Sequence, residues 1–103
     1  MATVVVNKSF LSWDQARDPR YIYIGRPTKW GNPWSHKLSR FPDTIKVKTR
    51  DESVENFRRY LRERPELIEA VRRELRGKFL VCFCRPHACH GDVLARVADG
   101  GEP

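Results

Sequence analysis

The chain has 103 residues, of which 40% are hydrophobic, 32% charged and 11% aromatic, and its formal net charge is +7. That mix excludes a disordered tail, a collagen-like repeat and a disulfide scaffold, and the length suits one compact domain over residues 1–103. The longest apolar stretches, residues 4–6 and 79–84, fall far short of the ~18 residues a membrane span requires, so no membrane partner is expected.

In chain order, residues 3–7 form a short apolar run that reads as a strand. Residues 13–20 are a polar connection closed by Pro19. Residues 21–24 (YIYI) combine aromatic and β-branched side chains and stop at Gly25, which marks a second strand. Residues 25–42 contain three prolines and two glycines interleaved with Trp30, Trp34 and Phe41. This is a long loop of the kind that carries function in compact domains, and its aromatic content argues against disorder. Ile45 and Val47 alternate with lysines, as in a short edge strand.

Between residues 53 and 64, Val54, Phe57 and Leu61 recur at helical spacing, with Asp51 or Ser53 as N-cap. Pro65 then opens a second helix, whose apolar stripe is Leu67, Ile68, Val71 and Leu75 and which Gly77 terminates. Residues 78–84 (KFLVCFC) are apolar on both faces, the mark of a central strand covered from two sides. After a tight loop at 85–88, residues 92–98 give a short helix. Residues 99–103 are expected to fray. The order β-β-(β)-α-α-β-α predicts a small α/β sandwich with a short mixed, partly parallel sheet covered by helices, a Rossmann-like half.

The charge is uneven. Residues 1–50 carry ten Lys or Arg against three acids, whereas residues 51–103 carry ten of each. A one-sided excess points to an anionic partner: a nucleotide, a nucleic acid or an acidic protein surface. A merely solubilising surface is the plainer alternative. The start of the chain has no basic region followed by a long apolar run, so no secretory signal is read there. Three cysteines clustered within eight positions then imply reduced thiols or metal ligands in a cytoplasmic setting.

Three stretches could carry chemistry. Cys82, Cys84, Cys89 and His90 could supply a tetrahedral zinc site. Against this, an extended Cys-x-Cys holds its Cα atoms ~6.5–7 Å apart and converges poorly, which leaves plain core thiols and a reactive thiol as alternatives. The second stretch is the corner from the buried strand through Cys89, His90, Gly91 and Asp92 into a helix, the place where open α/β sheets hold ligands. There Cys89 would feel the helix dipole, His90 could act as acid, base or phosphate donor, and Gly91 would let a ligand approach the backbone. Asp92 could bind a hydroxyl or cation or act as a base, although an N-cap or first-turn acid is the simpler role. The third stretch runs through Gly25, Arg26, Trp30, Gly31 and Asn32. Cations beside aromatic rings suit base stacking and phosphate binding, while a Trp30 that plugs the core is the alternative.

The blocks VVNK, YIGRP-x2-WGNP and GKFLVCFCRPHACHGDVLA resemble the signature of a family of small phage and bacterial domains of unknown function, from Val5 to about Val97. The resemblance implies an α/β domain often carried by bacteriophages, hence a bacterial cytoplasm. It also implies motif positions at Gly25, Arg26, Pro27, Trp30, Gly31, Asn32, Pro33, Cys82, Cys84, Pro86, Cys89, His90, Gly91 and Asp92. His87 falls in the motif's spacer, and Phe83 stands where tryptophan is usual. The family brings no settled activity.

These readings converge on one pocket lined by Arg26, Trp30, Asn32, Cys89, His90 and Asp92, suited to a phosphorylated or nucleotide-like ligand. Any catalysis would fall to His90 with Asp92 or Cys89. The rivals are a non-catalytic basic phage protein that binds host protein or nucleic acid, and a small zinc-stabilised module.

Overall fold

The computed structural model describes residues 2–26, 28–36, 44–83, 87 and 89–103. Its elements are β1 (Val4–Asn7), a 3-10 turn (Lys8–Phe10), α1 (Trp13–Arg17), β2 (Tyr21–Tyr23), β3 (Trp34–Ser35), β4 (Ile45–Lys46), α2 (Arg50–Arg62), α3 (Pro65–Glu74), β5 (Phe79–Cys82) and α4 (His90–Ala98). The architecture is α/β. β5 lies between β1 and β2 and pairs with both in parallel, so that Leu80 has Val5 on one side and Ile22 on the other. β3 and β4 make a separate parallel pair. Every pairing among the described residues is therefore parallel, and the mixture expected of the sheet has no antiparallel member there.

Alternation along the strands sorts the sheet into two faces. One carries Val5, Ile22, Ile24, Leu80 and Cys82 and packs into the core with Phe57 and Leu61 of α2, Val71 and Leu75 after it, and Val93, Leu94 and Val97 of α4. The inward stripes of α2 and α3 are those the spacing predicts. The other face is not roofed by these helices. β5 is central and buried on both faces, as expected, with Leu80 at 0% and Val81 at 5% exposure, while Phe83 just beyond its end is 59% exposed.

Local chemistry sets the helix ends. α1 falls within the stretch read as a plain connection. Ser12 and Gln15 form a reciprocal capping box there, a signature present in the sequence as S-x-x-Q. α2 is capped by Thr49, whose side chain accepts from the Glu52 N–H, instead of by Asp51 or Ser53. α3 opens on Pro65, and Gly77 beyond it takes a positive φ of 75°. α4 begins at His90, two residues before the expected start, because Cys89 serves as its N-cap.

The two ends of the chain are tied in. The Thr3 hydroxyl donates to Asp99 (2.7 Å) and accepts from the Gly77 N–H (2.9 Å). Where composition suggests fraying, Arg72 donates to the Gly101 carbonyl and Arg62 to the Pro103 carbonyl.

Candidate functional site

The two motif stretches, about sixty residues apart, meet inside the molecule. β5 delivers Cys82 to the core, and its Sγ lies 3.6 Å from Cys89 Sγ. Cys89 caps α4 with its thiol, which accepts from the Gly91 N–H at 3.3 Å. Its own N–H donates to the Asp92 carboxylate at 3.1 Å. His90, the first residue of the helix, reaches across to the strand that leads into the GRP turn. Its Nε2 lies 2.8 Å from the Ile24 carbonyl, a partner that can only accept, so Nε2 carries the proton. The ring stands edge-on to Phe57 at 5.1 Å. Burial pushes the His90 pKa below its ordinary value and the Arg26 charge acts in the same direction, while the Ile24 carbonyl opposes them.

Gly91 suits the close packing here. A Cβ would fall 2.8 Å from Ile24 Cδ1 and 3.2 Å from Val5 Cγ1, so the missing side chain admits the sheet against the helix. Cys89 and His90 are both buried, and the partly exposed Asp92 spends one carboxylate oxygen on the cap. Cys84, one of the four candidate zinc ligands, lies outside the described residues, as do Pro27 and Pro86. Among the described residues no cluster of three or more His, Cys, Asp or Glu side chains could hold a metal ion.

The GRP/WGNP stretch is knotted by its own polar groups. Successive turns are closed by Thr28 N–H to the Gly25 carbonyl and Gly31 N–H to the Thr28 carbonyl. A Cβ on Gly25 would collide with the Tyr23 phenol that lies over it. Trp30 is buried in the core cluster, with the Lys29 ammonium 4.6 Å above its ring. Lys29 also pairs with Glu74 at 2.9 Å and holds that carboxyl below the usual carboxylate range.

Asn32 is buried and used on both sides. Its amide donates to Ser53 Oγ (2.9 Å), and its carbonyl oxygen accepts from the Trp34 N–H (2.9 Å) across Pro33. Ser53 Oγ in turn donates to the Trp34 carbonyl (2.8 Å). Arg26 donates to the same carbonyl at 3.3 Å and to the Asn32 carbonyl at 2.8 Å. Arg26, Asn32 and Ser53 thus fix the Trp34 backbone from three directions.

That network has a consequence at the surface. Trp34 packs edge-on against Tyr60 of α2, with centroids 5.8 Å apart, and the Arg64 guanidinium lies 3.8 Å above the Tyr60 ring. Together with Asn56, Arg59 and Glu63 they line a groove of about 310 Å3. Positions 56, 59, 60 and 63 follow i, i+3, i+4, i+7 spacing, which puts them in one stripe on α2. Arg59 is exposed and makes no ion pair with any described residue. Of these lining residues, sequence reasoning reached only Trp34, as part of the loop. A helix stripe with an asparagine, an arginine and a glutamate reads as a solvated face until Trp34 is known to stand beside it.

The fold and this geometry define a small α/β domain with a parallel sheet and a polar, aromatic-walled groove. The chain belongs to the family described as domain of unknown function DUF4326, which matches residues 9–100. It is similar to the uncharacterized 12.4 kDa protein in the nrdA-td intergenic region of Enterobacteria phage T4, with 30% identity over 98 residues that cover 92% of this chain and 76% of that protein. No solved structure matches. Among the described residues no helix is long and apolar enough to cross a membrane.

Proposed function

We propose that this phage-type domain binds a phosphorylated, ring-bearing ligand of nucleotide type, and that the ligand enters the Trp34–Tyr60 groove. The observation that carries this reading is the triple anchoring of Trp34 by Arg26, Asn32 and Ser53. Three polar side chains, two of them from the motif, hold one aromatic wall rigid beside an arginine that makes no ion pair among the described residues. A preorganised wall lowers the ordering cost of binding. At about 310 Å3 the groove lies at the small end of ligand sites, a size that admits one nucleotide.

In this reading Trp34 and Tyr60 contact the base or sugar and Arg59 meets the phosphate. Asn56 and the acceptor-only Glu63 read polar edges. The GRP/WGNP loop is one wall, and the CHGD corner is its anchor through the His90–Ile24 hydrogen bond. Cys89 and His90 act in the fold instead of as nucleophile and base, because both are buried and committed to internal partners. Gly25, Gly31 and Gly91 serve close packing, and Trp30 the core.

Calorimetric titration with nucleoside monophosphates, nucleosides and ribose 5-phosphate tests the reading. Monophosphates should bind, and either half alone should bind more weakly. Arg59→Ala should lose about tenfold in affinity, the value of one charge-assisted contact. Monophosphate binding that is unchanged in Arg59→Ala and Tyr60→Ala would move the site elsewhere.

A further inference from the structure

A purely parallel sheet ordinarily has both faces covered. Here α2, α3 and α4 pack on the Val5–Leu80–Ile22 face, and among the described residues the opposite face has no such helical layer. That face carries Val4 and Val6 of β1, Phe79 of β5, and Tyr21 and Tyr23 of β2 around a buried Val81, with Val4 exposed, the others half-buried and Tyr21 stacked on Phe79 at 4.5 Å. At its carboxyl end Phe83 packs edge-on against Tyr23. The Lys8 ammonium stands 5.6 Å from the centroids of both rings. The connection from β1 to β2 adjoins this face, since Gln15 of α1 donates to the Tyr21 hydroxyl. It carries Phe10 and Trp13, which are 82% and 81% exposed. Exposed aromatics gathered at one sheet face mark an interaction surface.

From this juxtaposition we infer that the exposed aromatic rim of this face, around Lys8 and Phe83, is a docking platform for single-stranded nucleic acid, distinct from the groove. Charge selects the occupant. Lys8 has no carboxylate partner among the described residues. A second copy of a chain bearing +7 would bury that ammonium against like charge, whereas a phosphate backbone neutralises it. Exposed rings with a cation among them are what sequence-tolerant base stacking uses, and an open sheet face is a proven geometry for it. The phosphates would run past Lys8, with successive bases on Phe83 and on the exposed rings of the β1–β2 connection.

Fluorescence anisotropy of a labelled oligothymidylate of about 12 nucleotides, titrated with the full chain at several salt concentrations, tests this inference. Saturable binding that weakens steeply with salt is expected. Phe83→Ala and Trp13→Ala should each weaken it at least about fivefold, the loss of one stacked base, and Lys8→Ala should lower the salt slope by about one. All three side chains are outside the core, and matching thermal melts would establish that the variants fold. Phe83→Ala and Trp13→Ala, neither of which lines the groove, should leave monophosphate binding unchanged, so the two readings fail separately. The inference is overturned by absence of binding at low salt, or by binding that is indifferent to Phe83→Ala and Trp13→Ala. It is also overturned if sedimentation shows a dimer that Phe83→Ala abolishes, which would give the face to a second copy.

Discussion

His90 has to be neutral in the folded chain. Its Nε2–H is spent on the Ile24 carbonyl, its ring is packed on Phe57, and burial holds its pKa below 6.5. The sign of the resulting pH dependence follows by linkage. Below about 6.5 the unfolded chain takes up a proton that the folded chain resists, so this contribution to stability is complete above that pH and is lost as the pH falls. Thermal melts should therefore show the wild type losing stability between about pH 7 and pH 5. His90→Gln keeps an N–H for Ile24 and should show a flatter profile over that window. Parallel profiles would mean that His90 titrates normally. Asn32 gives a second test at this scale. Asn32→Ala removes the partner of the Trp34 N–H and one of the two side-chain bonds of the buried Ser53, and should cost about 1–3 kcal/mol in denaturant unfolding. It should also weaken nucleotide binding, although Asn32 lies behind the groove wall and does not line it.

At the scale of elements, α2 does two jobs with two stripes. Phe57 and Leu61 face the core at 1% and 0% exposure, whereas Asn56, Arg59, Tyr60 and Glu63 line the groove. Leu61→Ala should accordingly cost about 2–5 kcal/mol, and Glu63→Ala should leave the melting midpoint within measurement error. The inward stripe was legible because apolar side chains at 3.6-residue spacing have only one place to go. The outward stripe was not, because its meaning depends on Trp34, which is brought alongside by hydrogen bonds between residues 26, 32 and 53 that no local pattern encodes. The start of α4 is hidden in the sequence for a related reason. Cysteine is a rare N-cap, and its thiol succeeds here because Asp92 completes the capping box. The capping box of α1 was legible in Ser12 and Gln15 but short enough to pass for a connection.

At the scale of the molecule, the element order was enough to predict the α/β class and the central place of β5. It could not reveal that α2, α3 and α4 share one face while α1 adjoins the other, since residues 78–84 are apolar on both sides in either case. The meeting of the GRP turn with the CHGD corner was also legible. What lies at that meeting is a buried junction in which Cys89 and His90 bond to internal partners, and the groove proposed as the site stands apart from it. The charge asymmetry also acts at this scale. Nucleotide binding by a +7 chain should weaken as salt rises from about 50 to 200 mM, while Leu61→Ala should change stability equally at both, since it alters apolar burial alone.

The account rests on the groove between Trp34 and Tyr60 being the place where a ring-bearing anion is held. Titrating a nucleoside monophosphate into isotopically labelled protein and following the three tryptophan indole signals by NMR tests it most directly. The Trp34 indole should shift together with the Arg59 and Glu63 backbone amides, while the buried Trp30 and the distant Trp13 stay still. Shifts confined to Lys8, Gly91 and His90, or none at saturating ligand, would contradict it.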